Sequence, residues 1–255
     1  MEPSVGKPQT QRWGLRYAPD VLTIDFVSLF DASAAEGRLS VATRPGAAAA
    51  TACEVAAVYA SILLYIWRWQ RSHPLFWIAI LAFIILTHFL HHDSLRALGL
   101  TQSGLKGSAQ IILPAAAAIY TPVVIYALAT HRFALISPGR FGVDRFLGYA
   151  VWCCVQQYLM QSYFHRRLMS VIRAPHLSSL TVALMFGAAH IPNPVLMAAT
   201  VIGGFILAEV YARRPNIWPL ALAQAVGGLL IAALVPATVI HNMRVGPGYY
   251  TFRQR

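Results

Sequence analysis

Long apolar runs alternate with short polar connectors along most of the chain. Seven runs stand out, at 47–67, 74–90, 109–130, 146–164, 177–190, 195–211 and 217–239. Crossing a bilayer takes about 20 apolar residues per helix, or somewhat fewer in a tightly packed bundle. The pattern therefore predicts an all-α polytopic membrane helix bundle with about seven transmembrane segments, the second of them short. No two-residue alternation competes with this reading, and no internal repeat is visible. Pro114 and Pro122 predict kinks in the third segment. The Pro192-Asn193-Pro194 triplet predicts a bend at or inside the membrane between the fifth and sixth. Residues 1–46 read as a polar N-terminal tail, with a short interfacial strand or helix at 21–30. The tail has no cationic start leading into an apolar stretch, so it is not a signal peptide. The bundle occupies 47–240, and 241–255 form a cationic, aromatic C-terminal tail.

Composition sharpens this picture. Hydrophobic residues make up 57% of the chain and charged residues 11%, against about 25% charged in a soluble domain. The net charge is +11, but the cations sit in ones, twos and threes between apolar runs, as in Arg68/Arg71, Arg166/Arg167 and Arg213/Arg214. That is the flanking pattern of membrane helices against anionic head groups, and it excludes nucleic acid as a partner. Trp67, Trp69, Phe76, Trp77, Trp218, Tyr249 and Tyr250 stand at segment ends, as an interfacial belt does. With alternating topology, 12 of the 20 Lys and Arg fall on the N-terminal side, five of them in the tail; this bias points to an N-terminus inside. Cys53, Cys153 and Cys154 are too few for a disulfide framework and read as buried free thiols.

Polar groups at membrane depth are costly, so each asks for a reason. The fourth segment carries Gln156, Gln157 and Gln161, the fifth ends at His190, the sixth holds Glu209 and the seventh Gln224. On an α-helix Gln157 and Gln161 share a face, with Gln156 about 100° away. Such amides often serve only as glue between helices; their recurrence on several segments instead predicts a shared polar cavity. Glu209 is close to Arg213 and reads as its partner near the interface, whereas Glu54 has no evident partner. His165-Arg166-Arg167 reads as a helix end at the head groups, and His176 as loop. His88, His91 and His92 resemble one histidine box of membrane di-iron enzymes. Those enzymes need several boxes, so the run reads as a polar helix end, with no cofactor and no metal assigned.

The stretch from 146 to 240 resembles the CAAX protease and bacteriocin-processing (Abi) family, intramembrane glutamic endopeptidases related to the type II CAAX prenyl endopeptidase. That family carries Glu-Glu-x-x-x-Arg, then Phe-x-x-x-His, then His-x-x-x-Asn or a similar small residue. Here the first motif reads Gln156-Gln157-Tyr-Leu-Met-Gln161, the second Phe186-Gly-Ala-Ala-His190 and the third Gln224-Ala-Val-Gly-Gly228. His190 stands 34 residues from both Gln156 and Gln224.

The resemblance implies a membrane peptide hydrolase or acyl-transfer enzyme acting on lipid-modified or membrane peptides, with membrane lipid as a partner. It also implies a prokaryotic inner-membrane location. The catalytic set would be His190, Gln156, Gln157, Gln161 and Gln224. Glutamine has nearly the shape of glutamate but cannot take a proton near neutral pH, so a general base contributing roughly 10²–10⁴-fold is missing. Three expectations stay open. His190 alone is the base; Glu209 substitutes as the acid; or the protein is a catalytically inactive relative that binds or scaffolds through the same cavity.

Overall fold

The computed structural model describes residues 45–131 and 143–252. Nearly all of the polar tail, including 21–30, lies outside them. The described residues are helical throughout, without strands. The long helices are α1 (Pro45–Leu64), prolonged by a π turn at Tyr65–Trp69, α2 (Phe76–Leu90) and α3 (Leu105–Ala129). α4 starts as Val143–Gln157, continues as a π-helix over Tyr158–His165 and reverts to α over Arg166–Val171. α5 (Pro175–Ala188), α6 (Pro194–Arg213) and α7 (Ile217–Leu234) follow, then two short helices, α8 (Ala237–Ile240) and α9 (Pro247–Tyr250).

A helix stands at each of the seven apolar runs. Among the described residues four stretches are long and apolar enough to cross a membrane: Gly46–Trp69, Leu105–Ala129, Pro194–Arg213 and Ile217–Leu234. Phe76–Leu90 is apolar but shorter. The outward surface is apolar as well, with Leu86, Phe89, Val151 and Ile202 all largely exposed, as lipid-facing side chains are. The protein is an integral membrane protein.

The helices run up and down, so each end of the bundle gathers alternate connectors. A buried asparagine pins each end. Asn216 caps α7 by accepting from Trp218 N–H at 3.2 Å, while its Nδ2 donates to Thr101 O at 2.8 Å. It thereby ties the α6–α7 connector to the α2–α3 connector. Gly99 lies against it with φ of +70°, where a Cβ would come 2.9 Å from Asn216 N; no larger residue fits this approach. At the opposite end Asn193 caps α6 by accepting from Leu196 N–H, and its Nδ2 donates to Ile240 O at 2.8 Å and Arg244 O at 3.2 Å. The C-terminal tail thus folds under the bundle, where His241 stacks on Tyr249 at 3.8 Å. α5 and α6 form the closest hairpin, joined through Pro192-Asn193. A Cβ at Gly187 would collide with Val201 across that interface, the small-residue contact that brings membrane helices together.

Three local expectations are corrected. Cys53 is exposed on α1 rather than buried, and only Cys153 is fully buried. His165-Arg166-Arg167 does not mark a helix end at the head groups: His165 and Arg167 are buried and α4 runs on to Val171. His176 is not loop but first-turn helix, because Pro175 occupies the start of α5, where its missing N–H costs nothing.

Candidate functional site

The amides meet. Gln157 Nε2 donates to Gln224 Oε1 at 2.5 Å, and Gln224 Nε2 donates to Gln156 Oε1 at 2.6 Å. The chain Gln157→Gln224→Gln156 joins α4 to α7. Gln157 is fully buried and its Oε1 has no partner among the described residues. Gln156 and Gln224 are half-buried and open, with His190, onto one cavity of about 690 Å³. α3, α4, α5, α6 and α7 all contribute to its walls.

His190 sits just past the end of α5. Its Nδ1 donates to Phe186 O at 2.7 Å. A carbonyl only accepts, so the proton is on Nδ1 and the neutral ring keeps a basic lone pair on Nε2. Phe186 packs edge-on to the same ring at 5.0 Å between centroids. The remaining walls are mostly apolar, with Tyr120, Tyr149 and Thr200 as further polar groups. None of the described lining residues is a carboxylate.

Gln161 is elsewhere. Its Oε1 meets His165 Nδ1 at 3.1 Å, and His165 Nε2 faces the hydroxyls of Ser178 and Ser179 at 3.4 and 3.3 Å. A π-helix begins at Tyr158, directly after Gln157. Its hydrogen bonds reach five residues back, as from Arg166 N–H to Gln161 O, so Gln161 and the residues after it are rotated relative to α-helical spacing. A π segment inside an α-helix frequently marks a functional region.

Gly228 has its own counterpart. A Cβ there would collide with the Tyr149 hydroxyl, so the Tyr149 side chain fills the space that a larger residue at 228 would need. Sequence reasoning missed Tyr149; its only signal was a polar aromatic two turns before Gln156 on the same helix.

The carboxylates are engaged in other places. Glu209 pairs with Arg213 at 2.7 Å and His176 at 3.0 Å, and it does not line the cavity. Glu54 does have partners: Arg167 at 3.2 Å, His91 at 2.8 Å and the Tyr163 hydroxyl at 2.9 Å. Arg167 also binds Asp93 at 2.7 Å, and Asp93 reaches His88 and Arg166, each at 2.8 Å. His88 and His91 thus join one ion network, and no group of three or more His, Cys, Asp or Glu side chains placed to hold a metal occurs among the described residues. Burial alone would raise the Asp93 carboxyl, but hydrogen bonds from His88, Arg166 and Arg167, and the charge of Arg166, hold it well below the usual carboxylate range.

Residues 143–230 match the family model described as type II CAAX prenyl endopeptidase Rce1-like. Over this stretch, about a third of the chain, the protein is similar to the CAAX protease family. The matched stretch holds Gln156, Gln157, Gln161, His190 and Gln224, whereas Glu54 and Asp93 come from helices before it. No curated protein and no solved structure matches the chain.

Proposed function

We propose that this CAAX-protease-like membrane protein holds an apolar chain with a polar head, such as a lipid or a lipid-modified peptide, without glutamate-driven proteolysis. The observation that carries this reading is the amide chain Gln157→Gln224→Gln156 in a cavity whose described walls hold no carboxylate. An amide cannot remove a proton from water, but it can hold a carbonyl. Gln224 uses Oε1 and one Nε2 hydrogen within this chain of amides, which leaves it one N–H, and Gln156 retains its NH₂ as a donor toward a ligand. A cavity of about 690 Å³ lies in the range that encloses a lipid-sized ligand.

A second reading has its own support. The Nδ1–H tautomer of His190 leaves Nε2 as the one imidazole lone pair among the described lining residues of the cavity. His190 would then act alone as base in hydrolysis or acyl transfer, with Gln156 and Gln224 polarising the carbonyl. The experiment that separates the two incubates wild type and His190→Ala, in lipid-supplemented detergent, with farnesylated and unmodified peptides. Products and retained ligand are read by mass spectrometry. Retention without product in both proteins supports the holding role. A product that disappears in His190→Ala supports the enzyme, and neither retention nor product defeats both readings. A bacterial inner-membrane location belongs to the same proposal.

A further inference from the structure

A second cavity, of about 870 Å³, opens at the other end of the bundle. It lies where α2 and α4 end and α3 and α5 begin, and five arginines line it: Arg96, Arg166, Arg167, Arg173 and Arg214. Asp93 is the one carboxylate among its described lining residues, and it is already taken by Arg166, Arg167 and His88. Arg96, Arg173 and Arg214 are exposed and have no ion-pair or side-chain hydrogen-bond partner among the described residues. The stem of Arg214 crosses the first turn of α3, where a Cβ at Gly107 would lie 3.0 Å from its Cδ. The excess of positive charge is therefore gathered over one concavity, where like charges repel unless an anion is present.

The backbone adds to this. Gly104 and Ala174, which precede α3 and α5, give no side-chain cap to the first-turn N–H groups. Leu105 N–H already bonds Gln102 O and Pro175 has no N–H, so the second and third residues of each helix bring first-turn donors, and the two positive dipole ends, to the same rim. Guanidinium forks and helix N-termini share one preferred ligand, a phosphate group, which accepts several charge-assisted hydrogen bonds at once. A carboxylate would leave most of these donors unused.

We propose that this arginine-lined cavity is a binding site for a phosphate group, separate from the His190 cavity. The phosphate comes either from a phospholipid head group at the membrane surface or from a soluble phosphate ester or diphosphate. Arg173 and Arg214 contact it directly, and Arg166 and Arg167 are held in place by Asp93.

The test uses the full chain in a neutral detergent at fixed ionic strength. Pyrophosphate represents the soluble source and dioctanoyl phosphatidic acid the lipid source; dioctanoylglycerol is the lipid without phosphate. Binding is read by isothermal titration for pyrophosphate and by native mass spectrometry for the lipids. Saturable binding of pyrophosphate or phosphatidic acid is expected, and the arm that binds identifies the source. The Arg173→Gln/Arg214→Gln pair removes no ion pair and is expected to keep the wild-type melting temperature while weakening binding about tenfold or more. Arg68→Gln/Arg71→Gln, at the other end of the bundle, should change nothing. The proposal is overturned if neither phosphate probe binds, if dioctanoylglycerol binds as well as phosphatidic acid, or if the two double variants lose binding equally.

Discussion

Gln157 is the residue on which the amide arrangement turns. Its Nε2 donates to Gln224 Oε1 inside a fully buried setting. Gln157→Glu would place a carboxylate oxygen against that acceptor and leave a buried charge without a counterion. We expect a loss of about 3–5 kcal/mol in stability, read as an unfolding transition in detergent. Gln157→Leu removes the donor without adding charge and should cost less, about 1–3 kcal/mol. Gln161→Arg should not rescue Gln157→Glu, because Gln161 faces His165 rather than Gln157; full recovery in that double variant would contradict the geometry. Gln156, Gln224 and His190 were legible as a group because motif spacing and membrane depth both single them out. The placement of Gln161 was not legible, since the apolar pattern reads as one continuous α-helix and does not announce the π-helix at Tyr158–His165. Glu54 and Arg167 were likewise opaque as partners: they stand far apart in sequence and meet only after α1 packs on α4.

At the scale of elements, the Glu54–Arg167–Asp93 network fastens α1, the end of α2 and α4 together. Arg167 is its centre, 4% exposed and bound to both carboxylates. Arg167→Met leaves two carboxylates without their buried partner and should cost about 3–5 kcal/mol. Adding Glu54→Gln and Asp93→Asn should recover part of that loss, measured by the same unfolding transition. The network also sets an acid limb. The folded pKa of Asp93 lies below its unfolded value, so its stabilisation is complete above about pH 4 and is lost as pH falls below that. Asp93→Asn should flatten the fall in stability below about pH 4 while lowering stability at neutral pH; an unchanged acid limb would remove Asp93 from the account. All seven long helices were legible from hydrophobic runs, including the α5–α6 break at Pro192. The asparagine anchors were not, because Asn216 and Asn193 signal a helix start but not the distant carbonyls they hold.

Over the whole molecule, the two ends differ in chemistry. One gathers arginines and an ion network; the other gathers His190, the amides and a C-terminal tail that contributes Asn242 and Met243 to the cavity wall. The family core over residues 143–230 supplies the amides and His190, while the earlier helices supply Glu54 and Asp93. Among the described residues the central cavity is lined by amides and His190 without a carboxylate, while Glu54, Asp93 and Glu209 sit in ion pairs elsewhere, the arrangement on which the proposed holding role rests. The most direct measurement of that claim is ligand retention after the cavity is filled. Gly203 lines it, and a Cβ there meets nothing within 4 Å, so Gly203→Phe occupies the space without disturbing the packing. Native mass spectrometry of wild type and Gly203→Phe, purified from the same membranes and loaded with a farnesylated peptide, is the test. The account predicts a retained ligand on wild type, reduced about tenfold or more in a variant of unchanged melting temperature. Equal retention by the two proteins would contradict it.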